Sequence, residues 1–266
     1  MRFTKNQILN IGLIKITDMV TLNFNGRLGN NLIQYIASLF FAKKYNLDFK
    51  IPPEYSLRNW GPLIKDYQIN GIIGKGTIEV NDDNFLTLLN TDNIEPKHYH
   101  FDGFFQLKEF FTKYEFEIKS LLNINYKNID RDLVFLHYRI DDIGRDRRVL
   151  PLEYYIEALE TTRFNGGYIT SDSINHPNCT YLINKYDLKP VHGLSPMNTI
   201  FLGKNFNKLI LSEGTFSWWI GFLSRAESII CNKRDFLWHG DIFLDRWKKL
   251  NWDYNENTPI NLKNNL

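Results

Sequence analysis

Cysteine is scarce in this chain: two occur in 266 residues, Cys179 and Cys231, and neither belongs to a C-x-x-C pair. That excludes a disulfide framework and a cysteine zinc site as organising devices, and both thiols are expected to be buried. Long apolar runs are missing too. The stretch Ile8-Leu9-Asn10-Ile11-Gly12-Leu13-Ile14 is cut off by Lys15 and Asp18, well short of the roughly 20 apolar residues of a membrane helix. No small-residue cleavage site follows it, so neither a span nor a signal peptide is read there. Charge of one sign is absent as well. The 32 lysines and arginines nearly balance 30 acids, for a net charge of +2, and no concentrated basic stripe argues for nucleic acid or an acidic membrane face. Neither a G-x-G-x-x-G dinucleotide fingerprint, a Walker A loop, a G-x-S-x-G elbow nor an H-E-x-x-H helix is present, which removes several hydrolase and ATPase classes. His98 and His100 alternate on a strand without a third ligand nearby, and Asp130-Arg131-Asp132 stands in a turn-like context, so no metal site is expected.

What the chain does have is core-forming material, 43% hydrophobic and 15% aromatic residues, in a length that suits one large α/β unit or two modest ones. Val20 to Phe24 reads as a strand, followed by a glycine turn and an amphipathic helix from about Asn30 to Tyr45. Asp48 to Ile51 follows as a second strand, halted by Pro52-Pro53. No architecture is legible between Glu54 and Pro96, where breakers interrupt weak patterns. His98 to Phe101 alternates as a strand, and Leu107 to Leu122 carries helical spacing. Further on, strands are expected at Leu133 to His137, Gly167 to Thr170, Lys208 to Leu211 and Ser228 to Ile230, separated by helices at Leu152 to Arg163, Thr180 to Tyr186 and Phe216 to Arg225. That alternation predicts a parallel sheet covered on both faces. The polar stretch after the long helix places a boundary near residues 123 to 131. It divides an N-terminal lobe, 1–125, from a C-terminal lobe, 126–266, whose last segment is expected to pack back on the first, with the chemistry between them.

Five segments carry candidate chemistry. In Leu133-Val134-Phe135-Leu136-His137-Tyr138-Arg139-Ile140-Asp141-Asp142, an apolar strand ends in charge at the edge where open α/β sheets bind ligands. His137 and Arg139 alternate and so point to one side, and an arginine can grip a phosphate with two parallel bonds. The competing reading is a strand end whose Arg139 pairs with Asp141 or Asp142 on the surface. In Gly26-Arg27-Leu28-Gly29-Asn30-Asn31-Leu32-Ile33-Gln34-Tyr35, a glycine turn opens a helix whose free N–H groups suit an anion, or Asn30 simply caps an ordinary turn. Glu213-Gly214-Thr215-Phe216-Ser217-Trp218-Trp219 repeats that plan, with Thr215 and Ser217 as hydroxyl donors or Thr215 merely as a cap. Thr170-Ser171-Asp172-Ser173 brings a carboxylate and hydroxyls to another strand end, for a nucleobase or ribose or as a local turn. Arg145-Asp146-Arg147-Arg148 reads as a solvated loop or as added positive potential for a pyrophosphate.

Taken in order, these segments resemble the α-1,2-fucosyltransferases of glycosyltransferase family 11, whose members carry G-G-L-G-N-Q-x-x-Q-Y, G-Y-F-Q, H-x-R-R-x-D and a late S/T-F-S-W-W. Here they stand as Gly26 to Tyr35, Gly103-Phe104-Phe105-Gln106, His137 to Asp142 and Thr215 to Trp219. Smaller echoes at Pro151 to Tyr155, Ser171-Asp172, Met197 and Asp241-Ile242-Phe243 extend the resemblance over roughly residues 20 to 252. The resemblance implies an α/β, GT-B-like fold of two Rossmann-like lobes with the donor site in the more regular C-terminal lobe. It also implies metal-independent, inverting transfer of fucose from GDP-β-L-fucose to the 2-hydroxyl of a galactose-type glycan, with no cofactor. By position, Arg139 would hold the donor β-phosphate and His137 would shape the same pocket. Thr215, Phe216 and Ser217 would meet the phosphates, and Ser171 and Asp172 the nucleoside. Gly29, Asn30 and Gln34 would lie on the side of the reacting sugar, and Asp142 would be the nearest general base, with Asp141 and Glu213 as competitors. Animal and plant relatives carry an N-terminal Golgi anchor, which is not seen here, so a cytoplasmic enzyme of bacterial or viral type is expected.

The departures are as specific as the matches. Ile140 replaces the second arginine of H-x-R-R-x-D, removing a positive charge from the motif and opening donor choice. Arg27 replaces a glycine, Asn31 a glutamine, and Glu213-Gly214 an asparagine and serine; Arg27 or the Arg145 to Arg148 cluster would restore the charge if either lies close. A same-fold transferase with another nucleotide sugar, and a glycan-binding relative without activity, are the alternatives.

Overall fold

The structure is a computed structural model and describes residues 18–51, 76–122, 124–141, 149–233 and 242–253. These fall into two compact units, the first holding residues 18–26, 31–51 and 76–105, the second residues 27–30 and those described from 106 onward. Each unit has its own all-parallel sheet, so the α/β class holds, with a separate Rossmann-like sheet in each unit.

In the first unit the strands β1 (Met19–Leu22), β2 (Asp48–Phe49), β3 (Ile78–Val80) and β4 (His98–Phe101) are ordered β2-β1-β4-β3. Gly26, at φ 80, turns the chain from β1 into helix α1 (Leu28–Lys44), whose last turn carries Lys43 and Lys44 where the helix dipole favours cations. The core of this unit is aromatic: Phe41 meets Tyr99 and Phe101 at centroid distances of 5.2 and 5.3 Å, and Phe85, on the short helix α2 (Phe85–Leu89), meets Phe101 and Phe105. Both β3 and α2 fall in the stretch where the sequence showed no architecture, because three- and five-residue elements are too short to display a period.

The second unit carries β5 (Val134–Tyr138), β6 (Gly167–Ser171), β7 (Leu188–Pro190), β8 (Lys208–Ile210), β9 (Ser228–Asn232) and β10 (Lys248–Leu250), ordered β10-β9-β8-β5-β6-β7. Read from the other edge this is 3-2-1-4-5-6, the doubly wound order, and it reverses direction between β5 and β8. β5 is buried along its whole length, as a central parallel strand covered on both faces must be. Its helices are α3 (Lys108–Lys113), α4 (Glu115–Leu121), α5 (Leu152–Glu160), α6 (Pro177–Tyr186), α7 (Pro196–Gly203) and α8 (Thr215–Leu223). The single helix expected over Leu107 to Leu122 is instead broken at Tyr114, whose φ of −115° and ψ of 25° are not helical. Phe111 of α3 packs on Trp218 and Phe222 of α8 at 4.6 and 5.3 Å, which ties this segment to the second unit. β7, α7 and β10 were not foreseen, although Ser195-Pro196 is a sequence-level helix start, with the Ser195 hydroxyl accepting the Asn198 N–H. Both cysteines are free and buried, and burial pushes the Cys179 thiol up to about 11. Among the described residues no helix is long and apolar enough to cross a membrane.

Candidate functional site

Alternation along β5 separates two kinds of residue. Val134, Leu136, Tyr138 and Ile140 enter one hydrophobic core, while His137 and Arg139 line a cavity of about 390 Å³ built from residues of the second unit. The cavity lies at the carboxyl ends of β5 and β8, where the strand order reverses and the loops leaving the sheet part from one another. Its volume falls within the usual range for a small-molecule site, about 300–1,000 Å³.

Three helix N-termini contribute to its wall: Leu28 and Gly29 of α1, Pro196 and Thr199 of α7, and Thr215 and Phe216 of α8. No side chain caps α8, so its first-turn N–H groups are not claimed by a capping oxygen. Arg27 and Arg139 stand on the same wall, adding two cations to the positive ends of these helices. The arrangement suits a multiply charged anion such as a diphosphate.

Buried hydrogen bonds fix the edge from which Arg139 projects. The Arg139 backbone N–H donates to Ser212 Oγ at 3.1 Å, the Tyr155 hydroxyl donates to the same oxygen at 2.8 Å, and the Tyr154 hydroxyl donates to the Leu211 carbonyl at 2.6 Å. Burial pushes both tyrosine hydroxyls well above their ordinary titration range, so they remain donors. These two tyrosines were legible only as a motif echo. Their work is to join the ends of β5 and β8 through α5.

The start of α8 is equally constrained. A Cβ added to Gly29 would come within 2.5 Å of Thr215 Oγ1 and 2.7 Å of the Phe216 nitrogen, so only glycine fits, and the Trp219 indole N–H donates to the Gly29 carbonyl at 2.8 Å. The Thr215 hydroxyl donates to Asn30 Oδ1 at 2.7 Å, which also accepts from Gln106 Nε2 at 3.3 Å. That proton is therefore directed to Asn30 and not into the cavity, where the Thr215 hydroxyl was expected as a donor. Ser217 also differs from expectation. It is fully buried, absent from the cavity wall, and shares a 2.5 Å hydrogen bond with His137 Nδ1. Ser217 thus orients the imidazole, whose ring also packs on Phe216 at 5.0 Å.

Ser171 and Asp172 line the cavity as well. Asp172 Oδ1 accepts the Ile140 N–H at 2.7 Å, and the Ser171 hydroxyl accepts the Ser173 N–H at 3.0 Å. Ile140 itself is 4% exposed within the core. Its position faces away from Arg139, so the missing second arginine does not subtract a cation from the cavity wall. Arg27, 113 positions before Ile140 in the chain, stands on that wall instead. Gln34 belongs to the first unit and not to this cavity: it is fully buried, accepting the Asn25 N–H at 3.0 Å and donating to the Asn25 and Gly103 carbonyls at 3.2 and 2.9 Å. Glu213 is buried, and its Oε1 accepts the Gly214 N–H at 3.0 Å. Asp142 and the cluster from Arg145 to Arg148 lie outside the described residues.

No protein-family description and no curated protein matches the chain. Among solved structures, the chain is similar to a NodZ alpha-1,6-fucosyltransferase soaked with GDP-fucose, with a TM-score of 0.47 and 10% identity, covering 77% of this chain and 92% of that one.

Proposed function

We propose that the protein is an inverting glycosyltransferase that moves L-fucose from GDP-β-L-fucose to the 2-hydroxyl of a terminal galactose-type residue. The observation that carries this reading is the cavity at the β5/β8 switch point, where Arg139, Arg27 and three helix N-termini converge. The ordered motifs from Gly26 to Trp219 support the choice of donor. In the reaction the acceptor oxygen forms a bond to the anomeric carbon of fucose as the bond from that carbon to the diphosphate breaks on the opposite face. The hydroxyl proton passes to a base, for which Asp142 is the choice by resemblance. The charge developing on the departing GDP is met by the Arg139 guanidinium, whose backbone is anchored to Ser212, and by the α8 N–H groups. In this reading, protein cations perform the neutralisation and no metal or cofactor is required.

A panel of nucleotide sugars scored for nucleotide release tests the proposal. GDP released from GDP-fucose only when a β-galactoside is supplied, with the new linkage assigned by NMR, is the expected result. Turnover of a different donor, or glycan binding without turnover of any donor, would overturn it.

A further inference from the structure

The turn before α8 and the guanidinium of Arg139 compete for one volume. Gly214 sits at φ 94° and ψ 168°, a backbone region adopted almost only by glycine. Independently of that, a Cβ on Gly214 would overlap Arg139 Nη1 and fall 3.5 Å from its Cζ. The guanidinium therefore rests where a side chain at 214 would begin. The turn is also held from behind: the Gly214 N–H is directed to Glu213 Oε1 at 3.0 Å, and Glu213 is 2% exposed.

We propose that Gly214 is a positioning residue for Arg139, and that the missing side chain at 214 gives the guanidinium its place on the cavity wall. The functional half of this inference rests on the nucleotide reading above. Its structural half does not. Gly214 acts by leaving space, and Glu213 keeps the turn in the form that leaves it. A side chain at 214 would push the guanidinium off the wall, so a bound diphosphate would lose the same contact that deleting Arg139 removes.

The test is a double-mutant cycle on the full chain, comparing Gly214→Ala, Arg139→Ala and the double variant by melting temperature and by calorimetric titration with GDP. Arg139→Ala is expected to weaken GDP binding by about tenfold to a hundredfold, the effect of losing one hydrogen bond to a charged group. Gly214→Ala should weaken it comparably, and the double variant no more than Arg139→Ala alone. In the melting data, Gly214→Ala should lower Tm less when position 139 is alanine, because the clash is gone and only the backbone strain remains. Equal Tm losses in both backgrounds overturn the pairing, as does a Gly214→Ala chain that binds GDP like the wild type while Arg139→Ala does not. Coupled Tm values with GDP affinity unmoved by Arg139→Ala support the pairing and overturn the nucleotide reading instead. Should Gly214→Ala fail to fold, the double variant decides: recovery of a folded chain supports the pairing, and failure of both overturns it.

Discussion

The two sheets have related topologies and opposite uses of their polar strand ends. In the first, β1 and β4 are the central neighbours, and the residues leaving these strands bond to one another. Asp102, just after β4, accepts from Asn23 at 3.3 Å and from Asn25 at 2.9 Å, both on the chain leaving β1. Asp82 accepts the N–H groups of Phe104 and Phe105 at 2.9 and 2.5 Å, the latter residue held at φ 52°. Gln34 completes the pattern with its three bonds to Asn25 and Gly103. In the second sheet the central neighbours are β5 and β8, where the strand order reverses; the Arg139 backbone bonds to Ser212 and the His137 ring to Ser217, and the His137 and Arg139 side chains line an open cavity. The side chains at the central strand ends decide whether these are bridged by the protein itself or left for a ligand.

The comparison is broken most severely at Arg139. Arg139→Ala is expected to lower turnover by about two to three orders of magnitude, as loss of one preorganised charge-stabilising donor does, with Tm close to that of the wild type. A folded variant with near-normal turnover would refute the assignment. Arg27→Ala should be milder, roughly tenfold in GDP affinity, and its effect should shrink as salt is raised because Arg27 is exposed. Titration at two ionic strengths checks this, and a salt-independent loss would remove Arg27 from the anion site.

Gly29→Ala probes the packing of the second unit. Overlap with backbone at Phe216 should cost about 1–3 kcal/mol of stability, read by calorimetry, whereas an unchanged Tm would mean that the α1 turn is free to retreat. On the other side of the comparison, Asp102→Ala should cost about 1 kcal/mol and leave nucleotide affinity untouched, since its partners are solvent-exposed and lie in the first unit. A large change in GDP binding there would erase the distinction between the bridged and the open strand ends.

The smallest effect concerns pH. His98 is 3% exposed, with Nε2 against Thr21 Oγ1 at 2.8 Å and Nδ1 against Thr77 Oγ1 at 3.0 Å, and Thr21 Oγ1 also meets His100 Nδ1 at 2.8 Å. Burial, and secondarily the neighbouring His100, hold the His98 imidazole below its usual 6.5. The unfolded chain then binds a proton more readily than the native one, so this contribution to stability is complete above about pH 6.5 and is lost as pH falls through the lowered value. Melting curves between pH 5 and 8 should show that decline, and His98→Gln should flatten it. An unchanged slope in the variant would assign the acid sensitivity elsewhere.

How much of this was legible in the sequence differs by residue. The placing of His137 and Arg139 on one side of β5 follows from alternation alone, and the glycine turns before α1 and α8 follow from composition. The strands β3, β7 and β10, three residues each, had no period to show, and the break at Tyr114 left the helical spacing around it intact. Ile140 is the instructive case. As a motif departure it suggested a lost charge, yet the same alternation that directs Arg139 to the cavity directs Ile140 into the core.

Local periodicity thus determined, from the chain by itself, the α/β class, the central buried strand and the arginine at its end, because those properties depend on neighbours a few residues apart. Only the tertiary structure decided that Arg27 shares a wall with Arg139, that Thr215 gives its proton to Asn30 and Ser217 shares its hydrogen bond with His137, and that Gln34 belongs to the other unit. Those outcomes depend on partners as much as 185 positions apart in the chain, brought together by strand order and packing that no local pattern encodes.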